Sequence, residues 1–183
     1  MVRFTSMKKH CFHLWVFACV LVPLFNNTIC FSQKNEASEI VTKVSLQASG
    51  LTCSMCSNAV NKSLKSIDFV DKIEVNLKTS TFEITFKQGH NVDFDKLKKK
   101  VEDAGFSVST FIAYIHFNNI QVKGTDPVTI GTKTFRFLNV KDLIINGDKA
   151  VKIIDRGFVS SKEYKRGSTP ASSLVTRIYN ATI

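Results

Sequence analysis

From residue 42 to residue 111 the hydrophobic positions switch repeatedly between a period of two and a helical period. Val44, Leu46 and Ala48 alternate with Lys43, Ser45 and Gln47, the pattern of a strand with one buried face, and Gly50 ends it. Cys56, Ala59, Val60, Leu64 and Ile67 then recur at helical spacing, with Asn58, Lys62 and Lys65 opposite, which predicts an amphipathic helix. Ile73, Val75 and Leu77, then Phe82, Ile84 and Phe86, predict two strands joined as a hairpin through Lys78, Thr79 and Ser80. Asp93 is placed to cap a second helix whose inner face is Phe94, Leu97, Val101 and Ala104, with Gly105 as its stop. A fourth strand starts near Phe106. Strand, helix, strand, strand, helix, strand is the order of a ferredoxin-like βαββαβ unit, so the fold class expected over 42–111 is α+β.

Beyond Tyr114 the helical period disappears, and short apolar runs are broken by Gly124, Pro127, Gly131, Gly147, Gly157 and Gly167. Residues 112–183 therefore read as a separate all-β domain, an OB-like barrel or a sandwich. Its expected strands cover 115–122, 134–140, 150–154, 158–161 and 174–179, with Phe135, Phe137, Val151 and Ile153 in the core.

The amino end changes this picture. Lys8 and Lys9 precede the apolar run from Leu14 to Phe25, Pro23 breaks its end, and Cys30-Phe31-Ser32 places small residues at a cleavage site. Residues 1–32 read as a signal peptide, cleaved after Ser32, and 33–41 as a disordered lead-in. The apolar run falls short of the roughly 20 residues that span a bilayer, so no stable membrane span is expected after processing. The chain is exported on this reading, to the periplasm or cell envelope. Of the five cysteines, Cys11, Cys19 and Cys30 leave with the signal, and Cys53 and Cys56 remain. The net charge of +10 loses only Arg3, Lys8 and Lys9, and most of what remains lies beyond Ile112. Such a balance favours acidic partners without implying nucleic acid, and neither a base-stacking motif nor a zinc-finger spacing accompanies it.

The chemistry therefore rests on Cys53 and Cys56. Two thiols two residues apart, one on a loop and one on the first turn of a helix, reach a single ion together. Thiolates favour Cu(I) and also take Hg(II) or Zn(II), although zinc usually takes four ligands. The helix amino terminus stabilises their negative charge. A disulfide and a thioredoxin-like redox pair are the alternatives, but the latter prefers an aromatic before the first cysteine and Gly-Pro between the two, where this chain has Thr52 and Ser54-Met55. Met55 lies between the thiols and is expected to face solvent, while His90 and His116 are lone histidines without a motif.

Gly50-Leu51-Thr52-Cys53-Ser54-Met55-Cys56, within this order of elements, resembles the heavy-metal-associated domain of copper chaperones, copper-transporting ATPases and periplasmic mercury-binding proteins. Asp103-Ala104-Gly105-Phe106 is similar to that family's second signature, and the resemblance covers about 42–111. It implies that Cys53 and Cys56 bind one Cu(I) and pass it to a metal-acceptor protein by ligand exchange. It also implies that Gly50, Leu51, Thr52 and Phe106 support the metal loop. Leu51 stands where the family usually has Met, whose role there is to anchor the loop. Lys62 and Lys65 read as a basic strip beside the loop that would dock an acidic partner, or simply as a solvated face. The function expected is capture and transfer of a soft metal without enzymatic catalysis, with mercury binding, thiol-disulfide exchange and an envelope interaction module as the alternatives.

Overall fold

The computed structural model describes residues 40–138, 140–167 and 177–183. The expected signal peptide and cleavage site, and 33–39 of the lead-in, lie outside the described residues. The chain begins with β1 (Val41–Ser49), α1 (Ser54–Lys65), β2 (Val70–Asn76), β3 (Thr81–Phe86), α2 (Phe94–Asp103) and β4 (Ser107–Val122). This is the βαββαβ order read from the sequence, and β1 lies between β3 and β4, antiparallel to both.

The helices bury stripes set by their apolar spacing. In α1 the buried residues are Ser57, Val60 and Leu64, and in α2 they are Phe94, Leu97 and Val101. Ala59, expected inside, is exposed, because one residue from Val60 is about 100° around the helix and Ser57 occupies the inward position instead. The Asp93 side chain caps α2 by accepting from the Lys96 amide at 3.0 Å. At the other end the Gly105 amide donates to Glu102 O and the Phe106 amide to Val101 O, at 2.9 and 3.1 Å. This paired closure needs a left-handed residue, and Gly105 supplies it with φ +87°. Leu77, expected in a strand, instead follows β2 in the hairpin turn and is 58% exposed. The Asn76 carboxamide oxygen accepts there from the amides of Lys78 and Thr79.

The chain continues as β5 (Pro127–Ile130), β6 (Lys133–Phe137), β7 (Leu143–Ile153), α3 (Ser161–Gly167) and β8 (Ile178–Thr182). These strands extend the first sheet rather than forming a barrel or sandwich of their own. All eight strands make one sheet in the order β2-β3-β1-β4-β7-β8-β6-β5. The domain boundary expected at residue 112 falls inside β4, a strand of 16 residues. Its register runs Ile112↔Lys152 to Phe117↔Gly147 and resumes at Ile120↔Ile145 after a bulge, where Asn119 takes φ +48°. The described residues accordingly belong to one compact unit.

Corrections within the extension share a cause: short runs carry no mark of their partners. The strand expected over 158–161 is absent, since Phe158 and Val159 are buried in a turn closed by the Arg156↔Val159 bridge and Ser161 already starts α3. The strand expected over 174–179 begins at Ile178, with 174–176 outside the described residues. The short strand β5 and the helix α3 carried too little periodicity to be read.

The extension packs on α2. The Phe94 ring lies 5.1 Å from Phe111, 6.4 Å from Phe135 and 5.3 Å from Tyr179, centroid to centroid. Phe158 meets Phe111 edge-on at 5.1 Å. Arg177 links the same layers, with Nε 3.0 Å from Asp95 of α2 and Nη1 3.0 Å from the buried Asp155. The Tyr179 hydroxyl donates to Asp95 at 2.9 Å. Lys133 is buried beside the Phe94 ring and donates to Asn91 Oδ1 at 2.9 Å, and burial lowers its pKa. No helix among the described residues is long and apolar enough to cross a membrane.

Candidate metal centre

The loop between β1 and α1 is held at both ends by residues the sequence singled out. Gly50 turns the chain with φ +81°, a conformation costly for any residue with a Cβ. A Cβ there would meet only Phe106 Cδ1, at 3.9 Å, so backbone geometry and not crowding calls for glycine. The same distance places the half-buried Phe106 ring against the start of the loop. Leu51 packs on the core and anchors the loop with an apolar side chain of nearly the volume of Met. Thr52 is exposed. The strand ends that frame the loop are tied by Ser49 and Ser107, whose hydroxyl oxygens lie 2.6 Å apart.

Cys53 is the N-cap of α1. Its backbone is extended, with φ −147° and ψ 159°, and its sulfur accepts from the Cys56 amide at 3.3 Å. Sulfur thus takes the place usually held by a serine or aspartate oxygen. Cys53 is exposed, Cys56 is half-buried, and both are free thiols. The environment separates them electrostatically. The Cys56 thiol, aided by its own amide and that of Met55, donates to Cys53 and lowers its pKa. Cys56 is raised, first because it is the donor in that bond.

One consequence is measurable. Because a lowered pKa gives thiolate at a lower pH and the thiolate is the nucleophile, alkylation below the ordinary thiol range should fall on Cys53 and spare Cys56. In Cys56→Ala the side-chain donor is gone, so the pH profile of Cys53 alkylation should move upward. Equal rates at the two cysteines across the profile would refute the asymmetry.

Other candidates are placed differently. Met55 is 81% exposed, and His90 is exposed in a turn. His116, read as unpartnered, has its Nδ1 2.7 Å from Asp148 on β7. Lys62 and Lys65 lie in the last turn of α1, roughly 13 to 18 Å along the helix axis from Cys53 at 1.5 Å per residue. Among the described residues no group of three or more His, Cys, Asp or Glu side chains converges, which leaves the two sulfurs without a third protein ligand of those types.

The model of the heavy-metal-associated domain matches residues 45–107. A probable copper-exporting P-type ATPase of Archaeoglobus fulgidus is 33% identical over 63 residues, which are 34% of this chain and 8% of that protein. The mercuric transport protein periplasmic component of Pseudomonas fluorescens is 36% identical over 66 residues, covering 36% of this chain and 71% of that protein. Among solved structures, oxidized MerP from Ralstonia metallidurans aligns at 32% identity over 38% of this chain and 94% of that one, with a TM-score of 0.35. The chain thus spans less than a tenth of the ATPase and most of the mercuric protein.

Proposed function

Since the chain belongs to the heavy-metal-associated domain family, we propose that it binds a soft metal ion through Cys53 and Cys56 and passes it to a partner protein. The observation that carries this is the pair of free thiols at the start of α1, one capping the helix and open to solvent, the other half-buried. Cu(I) suits two thiolates because it is soft and stable with two ligands, whereas Zn(II) usually needs four. The helix amino terminus favours the resulting anionic complex.

Transfer proceeds by ligand exchange. A thiolate of the partner forms a third metal-sulfur bond, the bond to the exposed Cys53 breaks, and the released sulfur becomes free to take up a proton. Cys56 leaves last because its surroundings shield it. Gly50, Leu51, Thr52 and Phe106 hold the loop while its ligands change. Lys62 and Lys65 offer positive charge to an acidic partner at the far end of α1, touching its flank rather than its metal loop. No covalent catalysis is involved. Export through residues 1–32 to the periplasm or envelope completes the reading.

Hg(II) is the second reading, supported by the similarity to a mercuric transport protein and by the same softness of ligand. Anaerobic titration should give about one Cu(I) per chain, and competition with Hg(II) then ranks the two ions. Steady turnover in an insulin-reduction assay would instead identify a thiol-disulfide enzyme, which this account does not predict.

A further inference from the structure

The extension returns to the metal-loop end of the molecule and shapes a groove there. An open cavity of about 520 Å3 lies between the end of β1, the start of β4 and the segment 156–165, within the range of small-molecule sites. Ser49, Ser107 and Ser109 line it from β1 and β4, and Arg156, Tyr164 and Lys165 from the segment 156–165. Ser49 and Ser107 are the chain neighbours of Gly50 and Phe106, so the groove adjoins the segments that carry the loop.

No carboxylate is among its lining residues, and that of Glu102, which stands near Gly157, faces Lys98 at 3.9 Å. Asp155 and Glu163, the acidic residues nearest in sequence to the two cations, are engaged elsewhere: Asp155 faces Arg177 at 3.0 Å and Glu163 pairs with Lys152. Arg156 and Lys165 have no carboxylate partner among the described residues, and the stretch 168–176 contains no Asp or Glu. The Ser109 hydroxyl is given to Gln47 O at 3.1 Å and that of Ser49 is bonded to Ser107, which leaves a guanidinium fork, an ammonium and the Ser107 and Tyr164 hydroxyls around one concavity as donors to oxygen, a set that matches an oxyanion. The segment 156–165 lies outside residues 45–107 of the family match, so both cations of the groove come from this chain's extension, while Ser49 and Ser107 come from the matched part.

We propose that this groove is a binding site for a small oxyanionic ligand, a phosphoryl or carboxylate compound, held by Arg156 and Lys165 with hydroxyls from Ser107 and Tyr164. The site does not draw on the thiols, so it stands or falls separately from the metal reading. The test is an amide-shift titration of the full chain, thiols reduced and metal absent, with inorganic phosphate in one arm and citrate in the other at constant ionic strength.

Saturable shifts are expected at Ser49, Ser107, Gly157 and Lys165 in at least one arm, and the arm that saturates at lower concentration tells phosphoryl from carboxylate. An Arg156→Ala, Lys165→Ala variant should bind at least roughly tenfold more weakly, as loss of charge-assisted hydrogen bonds requires. Both side chains are exposed, so an unchanged spectrum elsewhere verifies the fold. Lys123→Ala, Lys141→Ala, which removes two exposed cations of the extension that do not line the groove, should leave the affinity as it was. Shifts that never saturate in either arm, or an affinity that survives loss of Arg156 and Lys165, would overturn the proposal.

Discussion

A chain carrying Cys53→Ser and Cys56→Ser should hold no Cu(I) under conditions in which the parent holds about one per chain, and it should fold as the parent does. Serine preserves the size of each side chain but replaces a soft thiolate with a hydroxyl that is a poor ligand for Cu(I). The fold should survive because Cys53 is exposed and Cys56 half-buried, so neither side chain is central to the core. Position 53 also caps α1, and serine is among the strongest N-cap residues. Loss of metal with an unchanged unfolding midpoint therefore assigns the ligands without confusing them with structural residues. Retained binding would move the site away from the loop, and either single variant should already lose most of the affinity, since one thiolate cannot supply two-coordinate geometry.

The second large effect concerns stability. Phe94→Ala should lower it by about 3–5 kcal/mol, the usual cost of truncating a fully buried aromatic. The ring is completely buried and touches Phe111, Phe135 and Tyr179, so its loss removes contacts on both sides of residue 112. Because one continuous sheet and one core span that position, denaturant unfolding of the parent and of the variant should each show a single transition, with tryptic protection of β2 and β8 lost together. Two separated transitions, with only the first moved by Phe94→Ala, would restore the division into independent domains that the sequence suggested.

The difference between sequence and structure follows from where the information resides. The first six elements were legible because each buries one face against its neighbours in the chain, so period two and period 3.6 both appear in the residues. The capping signals at Asp93 and Gly105 fixed the ends of α2 for the same local reason. The metal loop was legible because φ +81° at Gly50 and the cap at Cys53 are dictated within seven residues. Beyond Tyr114 the decisive contacts are distant. β8 pairs parallel with β6 through Thr134↔Ile178 to Phe137↔Ala181, and no alternation in either strand encodes that partner.

β4 illustrates the limit most clearly. Its inward residues Phe111, Ala113, Ile115 and Phe117 continue one alternation across residue 112, all of them fully buried. The alternation itself was visible, but the change of texture around it suggested a boundary. The groove was illegible for a related reason: Ser49, Ser107 and Arg156 are brought together only by the β1–β4 register and the turn after β7.

X-ray absorption at the copper edge of the full chain, loaded anaerobically with one equivalent of Cu(I), reads the ligands of the bound metal itself. Two sulfur neighbours and no nitrogen are expected, with the signal absent after the double serine substitution. Nitrogen neighbours, or a sulfur shell that persists without Cys53 and Cys56, would contradict that coordination.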